Sequence, residues 1–317
     1  MTAPSNPYAF DTAYHAPVLA GEVVGLLRSA KSVLDGTLGG GGHSQALLDA
    51  NVPQVTGVDR DPEALATART RLQLFEQSGR FRALLSNYAD LDALTELRGA
   101  RFDGILLDLG ISSRQIDAEE RGFTFREGAP LDMRMHAGGA GVDTAAALLN
   151  TLDERQLAKI FKEYGDEPRA NRLAREVLRR RATARFATSD DLVRAIRGTL
   201  GPRSGPSDFA RLFQALRIAV NDEIAGLERA LPALRDRLSP EGTLAVITYH
   251  SGEDRMVKHA FREWSADCIC PPKQPMCTCR GRALGVTLTR RPIMPAAAEI
   301  ARNPRARSAK LRAWRAR

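Results

Sequence analysis

The sequence predicts an α/β fold in which a parallel sheet carries an inserted α-helical domain. Short apolar segments alternate with amphipathic helical segments over the first 110 residues, which is typical of parallel sheets. From about residue 112 to residue 207 no buried strand is evident, and the strand pattern returns at 243–250. We therefore expect one sheet domain made of residues 1–112 and 208–317, interrupted by a helical domain at 113–207.

Each element of the first half is indicated by apolar spacing and by helix-start signals. The predicted strands are 32–38, 54–59, 81–87 and 104–110. The last of these is almost entirely apolar, as expected of a strand covered on both faces. One helix should start near His43 and Ser44, and a second at Asp61-Pro62-Glu63, where proline and acids suit a first turn.

The second half is predicted from the same patterns. Amphipathic helices are expected around residues 157–164, 173–178 and from Thr188 onward. A helix at 212–238, a turn at 239–242, a strand at 243–250 and a helix at 253–264 should follow. Segments 284–291 and 309–313 are expected to pair at the sheet edge, and the basic side chains of the latter segment could also face RNA.

Composition favours an anionic partner. The 317 residues carry a net charge of +8, and residues 169–185 hold seven arginines against one glutamate. Such an excess favours nucleic acid, although few aromatic residues lie between the charges to stack on bases. No apolar run is long enough for a membrane span, and the N-terminus lacks a secretory pattern, so we expect a cytoplasmic protein without membrane contact.

The segment DGTLGGGGHS (35–44) predicts a loop that holds a ligand against bare backbone. It is not a phosphate-binding P-loop, because Gly42 stands where that motif has lysine, and Ser44 breaks the dinucleotide pattern G-x-G-x-x-G. Asp59 ends the second strand, where it can accept hydrogen bonds from ribose hydroxyls. Asp35 beside the loop would repel phosphates and favour a cation, so S-adenosyl-L-methionine fits better than NAD.

Polar residues also follow the fourth and fifth strands. Asp108 lies near the end of the fourth strand, Ser112 and Gln115 follow that strand, and His250 ends the fifth. In a doubly wound sheet this edge faces the ligand. His250 is about as well explained as a structural histidine.

The chain resembles the 16S ribosomal RNA cytosine N4-methyltransferases of the RsmH/MraW family. The resemblance covers nearly the whole chain and is carried by HAPVL, DGTLGGGGHS, DRDP, DGILLDLGISSRQID, ERGF, PLDMRM, FQALRIAVNDE, HSGEDRMVK and NPRARSAKLRA. It implies a class I, Rossmann-like methyltransferase sheet, with S-adenosyl-L-methionine as donor and a decoding-centre cytidine of the small ribosomal subunit as acceptor. The implied cofactor contacts are Gly41, Gly42, His43, Asp59, Tyr88, Asp108 and Gln115.

The chemistry of that reaction suggests roles for three residues. The N4 amino group of cytosine is a weak nucleophile, because its lone pair is delocalised into the ring. We expect Asp108 and Ser112 to hold or support this amino group, with His250 as a weaker candidate. The base must leave its stack to reach such a pocket. Two alternatives are a non-catalytic RNA-binding ribosome-assembly factor and, less well supported, an NAD-dependent oxidoreductase.

Cysteines occur in one cluster, CICPPKQPMCTC. Cys268, Cys270, Cys277 and Cys279 form a C-x-C-x6-C-x-C pattern that could hold a structural zinc ion, or could remain as free thiols.

Overall fold

A computed structural model describes residues 17–135, 143–271, 274 and 276–317, without the side chains of residues 113 and 114. The first two residues of the HAPVL motif therefore lie outside the described part. The chain divides into two compact units. One takes the described residues up to Gly110 and from Gly226 onward, and the other takes Ile111–Ala225.

The first unit is built on a seven-stranded sheet. Its strands are β1 (Ser32–Asp35), β2 (Gln54–Asp59), β3 (Phe81–Leu85), β4 (Phe102–Asp108), β5 (Leu238–Thr248), β6 (Gly285–Thr287) and β7 (Lys310–Ala316). Their order across the sheet is β3-β2-β1-β4-β5-β7-β6. The five strands from β3 to β5 are parallel, and β7 pairs antiparallel with β5 and with β6. The predicted α/β class and the predicted pairing of the two C-terminal segments are both confirmed.

Helices in chain order are α1 (Ala20–Leu27), α2 (Gly42–Asp49), α3 (Pro62–Arg71), α4 (Gln73–Gln77), α5 (Ser113–Asp117), α6 (Ala145–Thr151), α7 (Glu154–Glu163), α8 (Ala170–Arg181), α9 (Ser189–Leu200), α10 (Pro206–Asn221), α11 (Glu223–Asp236), α12 (Ser251–Trp264) and α13 (Ala297–Arg302). Within the described residues, no helix has the length and apolarity that crossing a bilayer requires.

Successive side chains of the central strands enter different cores. Val33 and Leu106 pack with α1, α2 and α3, whereas the next residues, Leu34 and Leu107, pack with α11 and α12. Side chains of a strand alternate between its two faces, so helices covering both faces require an unbroken apolar run. The apolar composition of residues 104–107 follows from this two-sided burial.

The helical unit has its own core, formed by α6 to α10 together with residues that precede α6. Phe209, Leu212, Phe213 and Leu216 of α10 are buried in that core. The unit therefore ends after α10, at Ala225, rather than at residue 207, where the sequence placed the boundary.

Two predicted elements are wrong in detail. The helix expected at 212–238 is two helices, because Asp222 has a left-handed φ of 50° between α10 and α11. The turn expected at 239–242 lies within β5. Leu238 pairs with Phe102 and Thr243 pairs with Gly104, so four residues of β5 lie opposite a single residue of β4.

Candidate active site

Three aspartates end three adjacent parallel strands. Asp35 ends β1, Asp59 ends β2 and Asp108 ends β4. Because the strands are parallel, the three residues lie at the same edge of the sheet. From β1 the chain continues to β2 on one side, whereas β4 lies on the other side of β1. Open α/β sheets bind ligands at the point where the strand order reverses in this way.

The glycine-rich loop is held in place by main-chain hydrogen bonds on both sides of β1. The Gly36 amide donates to the Leu106 carbonyl of β4 at 2.9 Å, and the Leu38 amide donates to the Val58 carbonyl of β2 at 3.0 Å. Gly39 and Gly41 have positive φ angles of 51° and 79°, which favour glycine. The loop thus has a defined shape between the two neighbouring strands.

The glycines of the loop differ in their surroundings. A Cβ on Gly41 would lie 3.1 Å from Leu72, and one on Gly42 would lie 3.3 Å from Pro17. The lack of a side chain at Gly41 and Gly42 therefore permits the start of α2 to pack against Leu72 and Pro17. Only the main chain of these two glycines can contact a ligand. At Gly39 the nearest atom to such a Cβ is 4.0 Å away, and at Gly40 it is 3.7 Å away.

Asp59 connects the glycine loop to the start of α3. Its Oδ2 accepts the Gly39 amide at 2.7 Å and its Oδ1 accepts the Asp61 amide at 2.9 Å. Burial raises the pKa of Asp59, and the two amide hydrogen bonds oppose that rise. Each carboxylate oxygen has a further lone pair, so the group can still accept the hydroxyls of a ribose.

Asp35 is buried, with 1% of its surface exposed. Its Oδ2 accepts the Ser44 hydroxyl at 2.7 Å, and its Oδ1 accepts the Thr37 amide at 3.3 Å. Burial raises the pKa of Asp35. These contacts tie the start of the loop to α2.

Asp108 combines burial with access to solvent. The Tyr249 hydroxyl donates to its Oδ1 at 2.9 Å, and its main-chain amide donates to the Thr37 hydroxyl at 2.6 Å. Its side chain is 23% exposed, yet burial raises its pKa to about 6, against the lowering effects of His43 and Tyr249. A carboxylate in such a site is a strong hydrogen-bond acceptor near neutral pH.

His43, in the first turn of α2, joins this group. Its Nε2 lies 2.9 Å from the Val18 carbonyl and so carries the proton, while Nδ1 lies 3.7 Å from Oδ2 of Asp108. Tyr88 lies next to the loop, since a Cβ on Gly36 would be 3.2 Å from Cβ of Tyr88. The structure therefore brings Asp35, His43, Asp59, Tyr88 and Asp108 to the surroundings of one loop.

His250 is the N-cap of α12. Its Nδ1 accepts the Glu253 amide at 3.4 Å, and its main-chain amide donates to Glu253 Oε2 at 3.3 Å. Its Nε2 lies 3.1 Å from Glu253 Oε1 but is buried without a well-aligned hydrogen bond. These contacts favour the structural interpretation of His250.

Tyr249 is a site residue that the sequence patterns did not predict. Burial, and then the Asp108 charge, raise its pKa well above 10, so its hydroxyl remains a donor. Its main-chain amide donates to Oε2 of the buried Glu253 at 3.0 Å. Its position near the end of the predicted fifth strand, beside His250, was the available signal.

Ser112 and Gln115 belong to the helical unit. The Gln115 amide donates to the Ser112 hydroxyl at 3.2 Å, and the Ser112 amide donates to Gln115 Oε1 at 3.0 Å. This reciprocal pair caps α5.

The four cysteines come together in the segment that follows α12. Their sulfur atoms all lie within 4.8 Å of one another. They could hold one metal ion.

The residues around the loop fit S-adenosylmethionine. Asp59 offers acceptors for ribose hydroxyls, and a ligand can approach the main chain at Gly39 and Gly40 closely. Asp35 and Asp108, at the ends of β1 and β4, add negative charge beside the loop. The carboxylates around the loop favour a cationic nucleoside over a pyrophosphate, because Asp35 and Asp108 would repel phosphates. Fold and site together define a nucleoside-binding α/β enzyme.

Comparison with known proteins narrows this class. A model of the MraW methylase family matches residues 12–317. A ribosomal RNA small subunit methyltransferase H from Gemmatimonas aurantiaca is 62% identical over 312 residues, covering 98% of each chain. One from Heliobacterium mobile is 45% identical over 308 residues, covering 94% of this chain and 97% of its own. A solved rRNA methylase structure from Streptococcus thermophilus aligns over 94% of this chain and 93% of its own, with a TM-score of 0.40 at 11% identity.

The chain therefore belongs to the MraW methylase family. It is a methyltransferase, and S-adenosylmethionine is its methyl donor. The resemblance inferred from the sequence motifs is confirmed.

Proposed function

We propose that the enzyme methylates the N4 amino group of a cytidine in the decoding centre of 16S rRNA. The names of the relatives support ribosomal RNA of the small subunit as the substrate class. An enzyme with a ribosomal substrate would act in the cytoplasm. The observation that carries the N4 assignment is Asp108, a partly exposed carboxylate held by Tyr249 at the end of β4.

The proposed chemistry assigns two tasks to Asp108. Accepting a hydrogen bond from the amino group raises electron density on N4, and as the methyl group is transferred the carboxylate takes the surplus proton from that nitrogen. Bound S-adenosylmethionine supplies the electrophilic methyl group. General-base assistance of this kind contributes roughly 10²- to 10⁴-fold in rate.

The other residues serve position and binding. Asp59 would accept the ribose hydroxyls, and the main chain of Gly41 and Gly42 would line the cofactor. Tyr249 orients Asp108 by donating its hydroxyl to Oδ1, and His43 lies beside the same carboxylate. Ser112 follows Asp108 by four positions, and the proposed roles of Ser112 and Gln115 rest on the family resemblance.

Part of the arginine-rich segment is engaged within the helical unit. Glu176 binds Arg179 at 2.7 Å and Arg180 at 2.6 Å, and Arg181 donates to the carbonyls of Leu149 and Leu152. These arginines stabilise α8 and its neighbours. The share of the basic segment that contacts RNA is therefore smaller than its composition suggests.

Small ribosomal subunits from cells that lack this protein provide the test. The purified enzyme and S-adenosylmethionine should add one methyl group, and mass mapping of the RNA should place it on N4 of a cytidine. Asp108→Asn should lose that activity, and calorimetry with S-adenosylmethionine should show a loss of cofactor affinity too small to account for it. Asp103→Asn is the matched control, because Asp103 lies in the same strand and only accepts the Lys31 amide among its described contacts. Methylation of another base or atom would contradict the proposal, and failure to bind the cofactor would favour an assembly factor.

A further inference from the structure

The segment between α12 and β6 is a long loop closed at its base. The Leu284 amide donates to the Trp264 carbonyl at 2.8 Å, and the Ala283 amide donates to Asp267 Oδ1 at 3.0 Å. The Arg280 guanidinium donates to the carbonyls of Glu263 and Ala266 at the end of α12. Both ends of the loop are thus held at the C-terminal end of α12.

Little apolar burial stabilises the loop itself. Among its described residues, Ala283 is the buried one, whereas Ile269 is 43% exposed and Met276 is 76% exposed. Loops of this length without regular structure are uncommon in compact domains. Another interaction must hold the loop in one shape.

The four cysteine sulfurs provide such an interaction. Cys277 Sγ lies 3.8 Å from Cys268 Sγ, 3.9 Å from Cys270 Sγ and 3.5 Å from Cys279 Sγ, and Cys279 Sγ lies 3.9 Å from Cys268 Sγ. Four thiolates at a Zn–S distance of about 2.3 Å in a tetrahedron are about 3.8 Å apart. These four separations lie close to the edges of such a tetrahedron, and the other two sulfur pairs are within 4.8 Å.

The same distances disagree with the other common uses of clustered cysteines. A disulfide needs sulfur atoms about 2.05 Å apart. An iron–sulfur cluster places its thiolates around several irons rather than around one centre. In addition, the Ile269 amide donates to Cys279 Sγ at 3.4 Å, a contact that favours a thiolate acceptor.

We propose that Cys268, Cys270, Cys277 and Cys279 bind one zinc ion. All four coordination positions are protein sulfurs, so the ion is structural rather than catalytic. It cross-links the two halves of the loop and fixes the C-terminal end of α12 to the strand that follows. The opposite end of α12 carries the His250 and Glu253 contacts beside Tyr249, so the ion secures a helix that supports the active site.

Elemental analysis of the purified full-length protein is the direct test. The protein, prepared under reducing conditions from zinc-supplemented cells, should carry one zinc per chain. Cys277→Ser should reduce zinc to a small fraction of that value, while Met276→Ser, in the same exposed loop, should retain it. Cobalt substitution of the wild-type protein should give the absorption of a tetrahedral tetrathiolate, and chelation should increase amide hydrogen exchange in residues 265–284.

Three outcomes of the same experiment would overturn the proposal. Wild-type protein with four titratable thiols and no zinc would exclude the site. A mass lower by two hydrogens per bridge would indicate disulfides, and stoichiometric iron in place of zinc would contradict the ion assignment. Because these results come from the wild-type protein, they do not depend on folding of the variant.

Discussion

Asp108→Asn should make the fold more stable and the enzyme less active. Burial raises the pKa of Asp108 from 3.8 to about 6, so the ionised carboxylate destabilises the folded state. That difference corresponds to about 3 kcal/mol of unfolding free energy when the group is ionised in both states. Asparagine resembles the neutral acid imperfectly, so we expect a gain of about 1 to 3 kcal/mol at pH 7.5.

The sign of the pH dependence follows from the same shift. The unfolded carboxyl ionises near pH 4, so below that value the penalty is absent. It grows between pH 4 and pH 6 and is complete above pH 6. The stability advantage of Asp108→Asn over wild type should therefore shrink as the pH is lowered from 7.5 to 5.

Urea unfolding followed by tryptophan fluorescence measures this advantage. The chain has two tryptophans, Trp264 and Trp314, and both lie in the sheet unit, so the signal reports the unit that contains Asp108. Methyl transfer to small subunits, measured in parallel, should fall by about 100-fold or more. A variant that is less stable than wild type at pH 7.5, or that retains full activity, would refute the reasoning.

Three further changes test other contacts. Tyr249→Phe removes the hydrogen bond that lowers the pKa of Asp108, so the acidic limb of the kcat/KM profile should move up by about one pH unit. Asp59→Asn should weaken S-adenosylmethionine binding about tenfold or more in calorimetry, because it removes a charged acceptor for the ribose. Gly57→Ala should destabilise the fold by about 1 to 3 kcal/mol in urea unfolding, because its Cβ would lie 2.6 Å from the buried Leu38.

Each of these changes has a matched control elsewhere in the chain. Tyr164→Phe, in the helical unit, should leave the pH profile unchanged. If it shifted the acidic limb as much as Tyr249→Phe does, the shift would not be due to the hydrogen bond with Asp108. Asp103→Asn should not alter cofactor affinity. Gly25→Ala, in α1, meets no atom within 4 Å and should not destabilise; an equal loss in both glycine variants would show that crowding at Leu38 is not the cause.

The sequence predicted the strands and the loop well because their signals are local. An unbroken apolar run shows that a strand is covered on both faces, and an acid at its end marks the sheet edge. The Asp59 prediction used only these rules, and the structure places its carboxylate on the glycine loop. Its contact with a cofactor remains a prediction.

The missed features depend on partners that are distant in the chain. The apolar stripe of α10 shows that the helix is buried, but it does not specify which core receives it. The break occurs at Asp222, which has a left-handed conformation. Aspartate adopts this conformation only occasionally, so its presence in the sequence is a weak signal. The role of Tyr249 depends on its hydrogen bond to Asp108, which lies 141 positions earlier in the chain.

The placement of β5 has a consequence for synthesis of the protein on the ribosome. This strand lies between β4, made before the helical unit, and β7, made after it. A nascent chain that has reached only residue 237 holds β1 to β4 with the apolar edge of β4 unpaired, whereas residues 111–225 already contain a complete core. The contiguous unit can therefore fold first, and the discontinuous one must wait, with its edge open to chaperones or to other chains.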